Sequence, residues 1–209
     1  MKKLTLLSAI FAASMAQAEV SYNIAAASDY IWRGDTQTAH NSAVSGGVDY
    51  ASESGLAAGI WISNVAGGQE TDYYGSYTLE TGAVALTGGV IHYDYIGDAA
   101  DFTEVFVGAS VAGIDLTYYS TQASYNAEDE KYEQQSGNDY LSVGYGVDLA
   151  EDVSLGLGAG YIYSEDDANE KYDVIASLTK STPEFDFTLS WTKKEDAETG
   201  FQVGVSKGF

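Results

Sequence analysis

Apolar side chains recur at every second position in segment after segment of this chain, and no other feature constrains its fold as much. Val153, Leu155, Leu157, Ala159, Tyr161 and Tyr163 alternate with Ser154, Gly156, Gly158, Gly160, Ile162 and Ser164. Phe185, Phe187, Leu189 and Trp191 alternate with Asp186, Thr188 and Ser190, and Leu141, Val143, Tyr145, Val147 and Leu149 alternate with Ser142, Gly144, Gly146 and Asp148. Successive side chains of an extended strand point to opposite faces, so each segment reads as a strand with one apolar and one small or polar face. No window past the first residues holds the about 18 consecutive apolar residues that a membrane-spanning helix needs.

Followed along the chain, the alternation predicts about twelve strands of roughly ten residues, the length that crosses a bilayer at a tilt. They fall near 20–32, 42–51, 56–63, 71–79, 83–94, 102–112, 114–121, 139–149, 153–163, 171–180, 185–192 and 200–209. Short turns at 52–55, 80–82, 113, 150–152 and 181–184 alternate with longer segments at 33–41, 64–70, 95–101, 122–138, 164–170 and 193–199. Short turns on one rim and long loops on the other are how outer-membrane barrels are built. The expected fold is therefore all-β: a transmembrane, antiparallel, up-and-down β-barrel with both termini on the periplasmic side.

Residues that did not define the strands give two further tests. When each strand's outward face is chosen from its aliphatic and aromatic residues alone, Asp29, Asp49, Asp72, Glu104, Asp115, Asp148, Asp173 and Asp186 all fall inward. A charge facing hydrocarbon is costly, so this follows if the apolar face meets lipid. In the strand at 102–112, Phe102 and Phe106 compete with Val105, Val107 and Val111 for that face, and the strand before it is ambiguous too. Outward aromatics also gather at the strand ends. Trp32, Tyr73, Tyr163, Tyr172, Trp191 and Phe201 fall at the loop ends, and Tyr22, Tyr50, Phe185 and Phe209 at the turn ends. Two girdles at the membrane–water interfaces would place their amphipathic rings in this way. A soluble β-sandwich also alternates, but it normally lacks aromatics at both strand ends and regular alternation of turn lengths.

Composition narrows the chemistry. The 209 residues include no Cys, so disulfides, cysteine-ligated metals and a cysteine nucleophile are excluded. The 31 Asp and Glu against 9 Lys and Arg give a net charge of −22, which repels phosphate backbones and speaks against nucleic acid as a partner. Lys2 and Lys3, the apolar run Leu4 to Met15, and Ala16-Gln17-Ala18 have the layout of a secretory signal peptide. Residues 1–18 are thus expected to be cleaved, leaving a single domain over 19–209.

The stretch Ser28-Asp29-Tyr30-Ile31-Trp32-Arg33-Gly34, followed by Thr36-Gln37-Thr38, resembles the opening motif of the TorF family of porins, also catalogued as the Gcw_chp family of bacterial proteins. The likeness continues through Gly47-Val48-Asp49-Tyr50, Gly55-Leu56, Gly59-Ile60-Trp61-Ile62-Ser63-Asn64 and Glu70-Thr71-Asp72-Tyr73-Tyr74-Gly75. Asp35 stands where an aliphatic residue is expected after the Arg-Gly pair. The resemblance implies an outer-membrane barrel of a Gram-negative bacterium with a channel role, and it supplies no catalytic residues and no substrate. The last strand ends in Phe209, resembling the C-terminal signature read by the barrel-assembly machinery, with Lys207 at a position usually apolar.

The functional expectation is a passive channel lined by Asp29, Arg33, Asp49, Trp61, Asp72, Glu104, Asp115, Asp148, Asp173 and Asp186, without a cofactor or metal. Rings of carboxylates favour cations, so small cationic, zwitterionic or neutral polar solutes are expected to pass. Arg33 either forms a constriction of opposed charges or neutralises Asp29 or Asp72. Trp61 either stacks on a solute or packs beneath a folded loop. Loop clusters such as Glu128-Asp129-Glu130, Glu165-Asp166-Asp167 and Glu195-Asp196 read as solvated surface, or as bridges through divalent cations to lipopolysaccharide. A plugged structural or adhesive barrel is the rival. A hydrolase using His40 and loop carboxylates is a weaker one, because a nucleophile and base must be held close together.

Overall fold

The computed structural model describes residues 19–96, 101–126, 131–134, 138–164 and 170–209. Every regular element among them is a strand: β1 (Glu19–Ala27), β2 (Ile31–Trp32), β3 (Asp35–Thr36), β4 (Ala43–Ala51), β5 (Leu56–Val65), β6 (Gly68–Thr81), β7 (Val84–Ile96), β8 (Phe102–Val111), β9 (Ile114–Asn126), β10 (Lys131–Gln134), β11 (Asn138–Ala150), β12 (Val153–Ser164), β13 (Lys171–Ser181), β14 (Asp186–Lys194) and β15 (Thr199–Gly208). The proposed signal peptide and the acidic clusters at 128–130 and 165–167 lie outside the described residues.

Twelve strands close into one antiparallel wall in chain order, with β15 returning to pair with β1 through Asn23↔Gly208 to Ala27↔Gly204. The seam is completed by two backbone bonds between Tyr22 and Phe209, at 3.1 and 2.9 Å. Closure leaves no free sheet edge in the wall, which is what a β-structure needs where water cannot satisfy its backbone. β10 only extends the β9 hairpin, and β2 pairs with β3 alone. Both ends of the wall lie on the rim of short turns, where Gly55, Gly82 and Gly113 take left-handed φ values of 96°, 72° and 83°.

The outer face is apolar along whole strands. Val20, Tyr22 and Ile24 of β1, Leu157 of β12, and Phe187, Leu189 and Trp191 of β14 are all exposed. In water such a surface would cost about 25 cal/mol per Å², so the exterior is built to meet hydrocarbon. The buried apolar cluster sits inside the barrel instead, where Ile91, Tyr93 and Phe106 pack with Tyr74, Tyr95, Phe102 and Tyr119. Phe102 and Phe106 thus point inward, and Val105, Val107 and Val111 outward. The competition in that strand goes to the smaller residues because the rings pack inside the barrel on Tyr93 and Tyr119 of the adjoining strands.

Several boundaries differ from expectation: the segment 122–138 holds the end of β9 and all of β10, and two others shape the lumen. The segment 64–70 is no loop, since β5 and β6 stay paired up to Val65↔Gly68 and turn through Ala66-Gly67. Outside an apolar band the outer face meets water and can be polar like the inner one, so the ladder persists without any hydropathy pattern to reveal it. The first strand, expected over 20–32, leaves the wall after Ala27. There the Asp29 carboxylate accepts hydrogen bonds from the Thr36 and Thr38 hydroxyls at 2.6 and 2.7 Å and lies 3.0 Å from His40 Nδ1. Local side-chain bonding of this kind competes with the ladder. It folds residues 28–42 inward.

Candidate lumenal site

The inward-folded segment is a hairpin, with Ile31↔Thr36 and Trp32↔Asp35 flanking the pair Arg33-Gly34. Both central residues have positive φ, 48° and 79°, the requirement of a tight turn that follows strand twist. Gly34 is needed twice over, because a Cβ there would also come within 2.7 Å of Lys194 Cβ and 3.0 Å of Asp173 Cβ. Arg33 has no such excuse. Left-handed backbone is uncommon for a non-glycine residue, so its side chain must be wanted where the turn puts it.

That place is a cage. The Arg33 guanidinium makes a two-pronged bond to Glu104, Nη1–Oε1 at 2.9 Å and Nη2–Oε2 at 2.8 Å. Its carbon lies 4.2 Å from the centre of the Trp32 ring, 4.2 Å from Tyr140 and 5.1 Å from Tyr119. The Tyr93 hydroxyl donates to the same Glu104 carboxylate at 3.1 Å, and Tyr140 donates to Asp173 at 3.0 Å. Side-chain exposure is 10% for Arg33 and 1% for Glu104, so the pair is shielded from solvent. Burial alone would lower the basicity of Arg33, but the charge and hydrogen bonds of Glu104 outweigh it and raise it, so the guanidinium stays charged. The partner is therefore Glu104 and not Asp29 or Asp72, whose side chains are occupied elsewhere or buried apart.

The rest of the hairpin is tied around the bore. Tyr30 packs edge-on against Trp61 at 5.4 Å and donates to Glu70 Oε1 at 2.9 Å. Lys194 pairs with Asp35, Gln202 donates to the Asp29 carbonyl, and Ala66 N–H donates to the Gln37 carbonyl at 2.7 Å. These anchors lie on β5, β6, β8, β11, β14 and β15, on opposite arcs of the wall, so the hairpin crosses the lumen. Trp61 accordingly packs beneath a folded loop. Glu70 Oε2 and Asp72 Oδ1 are buried without a hydrogen-bond partner beside it.

The remaining residues expected at the lining lie toward the rim of short turns. Asp49 accepts from Asn23 at 3.1 Å and from the Tyr74 hydroxyl, and Asp115 accepts from Ser110. Asp186 is partly buried, whereas Asp148 is exposed next to a bulge between Asp148 and Ala150. Of the expected girdle, Tyr22, Tyr50, Tyr73, Tyr163, Tyr172, Phe185, Trp191, Phe201 and Phe209 are exposed on the outer face. Trp32 is not. It packs 6.0 Å from Tyr93 and 6.1 Å from Phe102 inside the barrel, because β1 ends before it and the hairpin turns it inward. Lys207 sits over Phe209 and Phe185, 5.0 and 5.4 Å from their ring centres, which accommodates its charge at the rim.

Sequence reasoning missed Tyr119, Tyr140 and Tyr93, and one signal for such rings was present. Tyr74, Phe106 and Tyr140 each lie over a glycine of an adjoining strand, Gly59, Gly89 and Gly160, whose Cβ would collide with the ring. Large inward rings are thus seated where a neighbour is missing its side chain. Gly160→Val is expected to push Tyr140 off Asp173 and away from Arg33, at about 1–3 kcal/mol for overpacking. Urea unfolding of the refolded protein measures it.

A closed up-and-down wall, apolar outside and polar inside with a loop folded across its bore, is the architecture of porin-type barrels. Residues 12–207 match the family model described as bacterial protein of unknown function, Gcw_chp, and the chain belongs to that family. Among solved structures the chain is similar to the KdgM porin, with a TM-score of 0.64 and 10% identity over 90% of this chain and 99% of that one. A KdgM porin in complex with disordered oligogalacturonate gives 0.61 and 10% over 91% and 98%. The Acinetobacter baumannii outer membrane protein Omp33 gives 0.56 and 11% over 92% and 98%. At these identities the likeness is one of fold. No curated protein is close enough in sequence to add a relative.

Proposed function

We propose that the protein is a passive outer-membrane channel of a Gram-negative bacterium, for small polar solutes that are cationic, zwitterionic or neutral. One observation carries this reading: a closed wall has lipid-compatible side chains outside and carboxylates inside that are mostly held by neutral donors. Asp49 and Asp115 take their hydrogen bonds from amide and hydroxyl groups on the inner face. The KdgM structure with oligogalacturonate concerns a polyanion, and an acidic wall such as this one disfavours such a solute in spite of the shared fold. The reading entails export, with residues 1–18 as signal peptide, assembly through the exposed Phe209, and surroundings of lipid and lipopolysaccharide.

His40 is engaged with Asp29 in holding the hairpin, which supports a barrel without catalysis. The anchors around the bore favour a second reading, a barrel closed by its own loop. Reversal potentials across planar bilayers in a KCl gradient test the first. The expected sign is that of potassium preference; chloride preference refutes the solute class, and the absence of any current in the wild type and in Arg33→Ala favours the closed barrel.

A further inference from the structure

Most of the cage around Arg33 does not belong to the hairpin. Glu104 is on β8, Tyr93 on β7, Tyr119 on β9 and Tyr140 on β11, all in the wall, and only Trp32 comes with the loop. The carboxylate presents two oxygens to one planar fork, its orientation is set by Tyr93, and two tyrosine faces flank the bound group. This is the chemistry that recognises a guanidinium and discriminates against a compact ammonium, which cannot fill both oxygens in one plane. As an anchor alone the pair is poorly explained. A buried ion pair adds little stability over apolar packing, and the hairpin has other attachments at Lys194, Gln202 and Ala66.

We propose that Glu104, Tyr93, Tyr119 and Tyr140 form a lumenal recognition site for solutes carrying a guanidinium group, and that Arg33 occupies it as a tethered stand-in for them. A solute of that class exchanges with the Arg33 side chain, which swings away while the wall keeps the cage in shape. No bond is made or broken beyond these ion-pair contacts. The gating half of the inference rests on the channel reading, and the binding half does not.

The test compares wild type, Arg33→Ala and Arg33→Ala/Glu104→Gln in planar bilayers, with millimolar methylguanidinium or tetramethylammonium added. Arg33→Ala is expected to conduct at least about twofold more than wild type. Methylguanidinium, and not tetramethylammonium, should return it toward the wild-type level, and Glu104→Gln should abolish that block. Arg33→Met, which keeps the bulk of the stem, separates the empty cage from a collapsed hairpin and should be blocked in the same way. Equal conductance of wild type and Arg33→Ala, or block that ignores Glu104, overturns the proposal. If no variant passes current, the channel reading fails by itself, and calorimetry in detergent judges the cage. Binding of methylguanidinium to Arg33→Ala that is lost in the double variant sustains it; no binding to Arg33→Ala overturns it.

Discussion

Lysine in place of Val143 is expected to destabilise the barrel by about 2–4 kcal/mol, whereas lysine at Gly144 leaves stability within about 0.5 kcal/mol. The two positions adjoin in the middle of β11 and differ only in the face they occupy. Val143 is exposed on the outer surface, opposite Ala159 and Leu116. Gly144 lies inward between Gly158 and Asp115, where a new Cβ meets nothing closer than Asp115 Cβ at 3.9 Å. A charge at the first position faces hydrocarbon near mid-strand; at the second it reaches water and a carboxylate. Since about 1.4 kcal/mol is a factor of ten, the first variant shifts the folding equilibrium by between one and three powers of ten. Urea unfolding in phospholipid vesicles, followed by tryptophan fluorescence, measures both. Equal losses at the two positions would remove the claim that one face meets lipid and the other water.

The wall was legible because lipid and lumen impose opposite demands on neighbouring residues, and a period of two records that conflict directly. β12 shows it plainly, with Leu155 and Leu157 outside and Gly156 and Gly158 inside. Where the conflict ends, so does the signal. Gly68, Gln69 and Glu70 continue β6 beyond the apolar band, and nothing in their polarity separates a ladder from a loop. Trp32 was legible as an aromatic at a strand end, but its destination depends on Asp29 gathering Thr36, Thr38 and His40, a set of contacts within one loop. The pairing of Arg33 with Glu104 spans 71 positions and joins the turn of the inward hairpin to a wall strand, and no local pattern encodes it. Charge counting could say that Arg33 would find a carboxylate, not which one.

The glycine positions connect these two levels. On the sequence, Gly59, Gly89 and Gly160 look like small inward residues that widen a bore. In the barrel each makes room for a ring, so the same residues that seem to open the lumen seat Tyr74, Phe106 and Tyr140 in it. The rings then supply hydroxyls to Asp49 and Asp173 and a face to Arg33. Inward carboxylates can therefore remain in a narrow space, because each hydroxyl lowers the cost of burying a charge.

Glu104→Gln carries the other large effect, and it should appear in the loop and not in the wall. A carboxamide returns one acceptor to Arg33 but no charge, and stranding a buried cation costs about 3–5 kcal/mol while the hairpin stays seated. The hairpin can avoid that cost by leaving the lumen, since residues 28–42 are held by contacts outside the twelve-stranded ladder. Besides Ala66 to the Gln37 carbonyl and Tyr30 to Glu70, two contacts on the far side of the bore from Glu104 oppose its departure, Lys194 to Asp35 and Gln202 to the Asp29 carbonyl. When opening is fast relative to cleavage, proteolysis follows the population of the open form. Cutting by proteinase K within 28–42 should then rise by about two to four powers of ten, less whatever those contacts retain. The thermal transition of the barrel should shift by no more than a few degrees, because its backbone ladder and outer face are untouched. Asp115→Asn, which neutralises an inward carboxylate that accepts from Ser110 and has no contact with the hairpin, should leave loop protection as it is in the wild type. Unchanged protection in Glu104→Gln would mean that the ion pair does not seat the hairpin, and a melted barrel would mean that the lumenal cluster supports the wall itself.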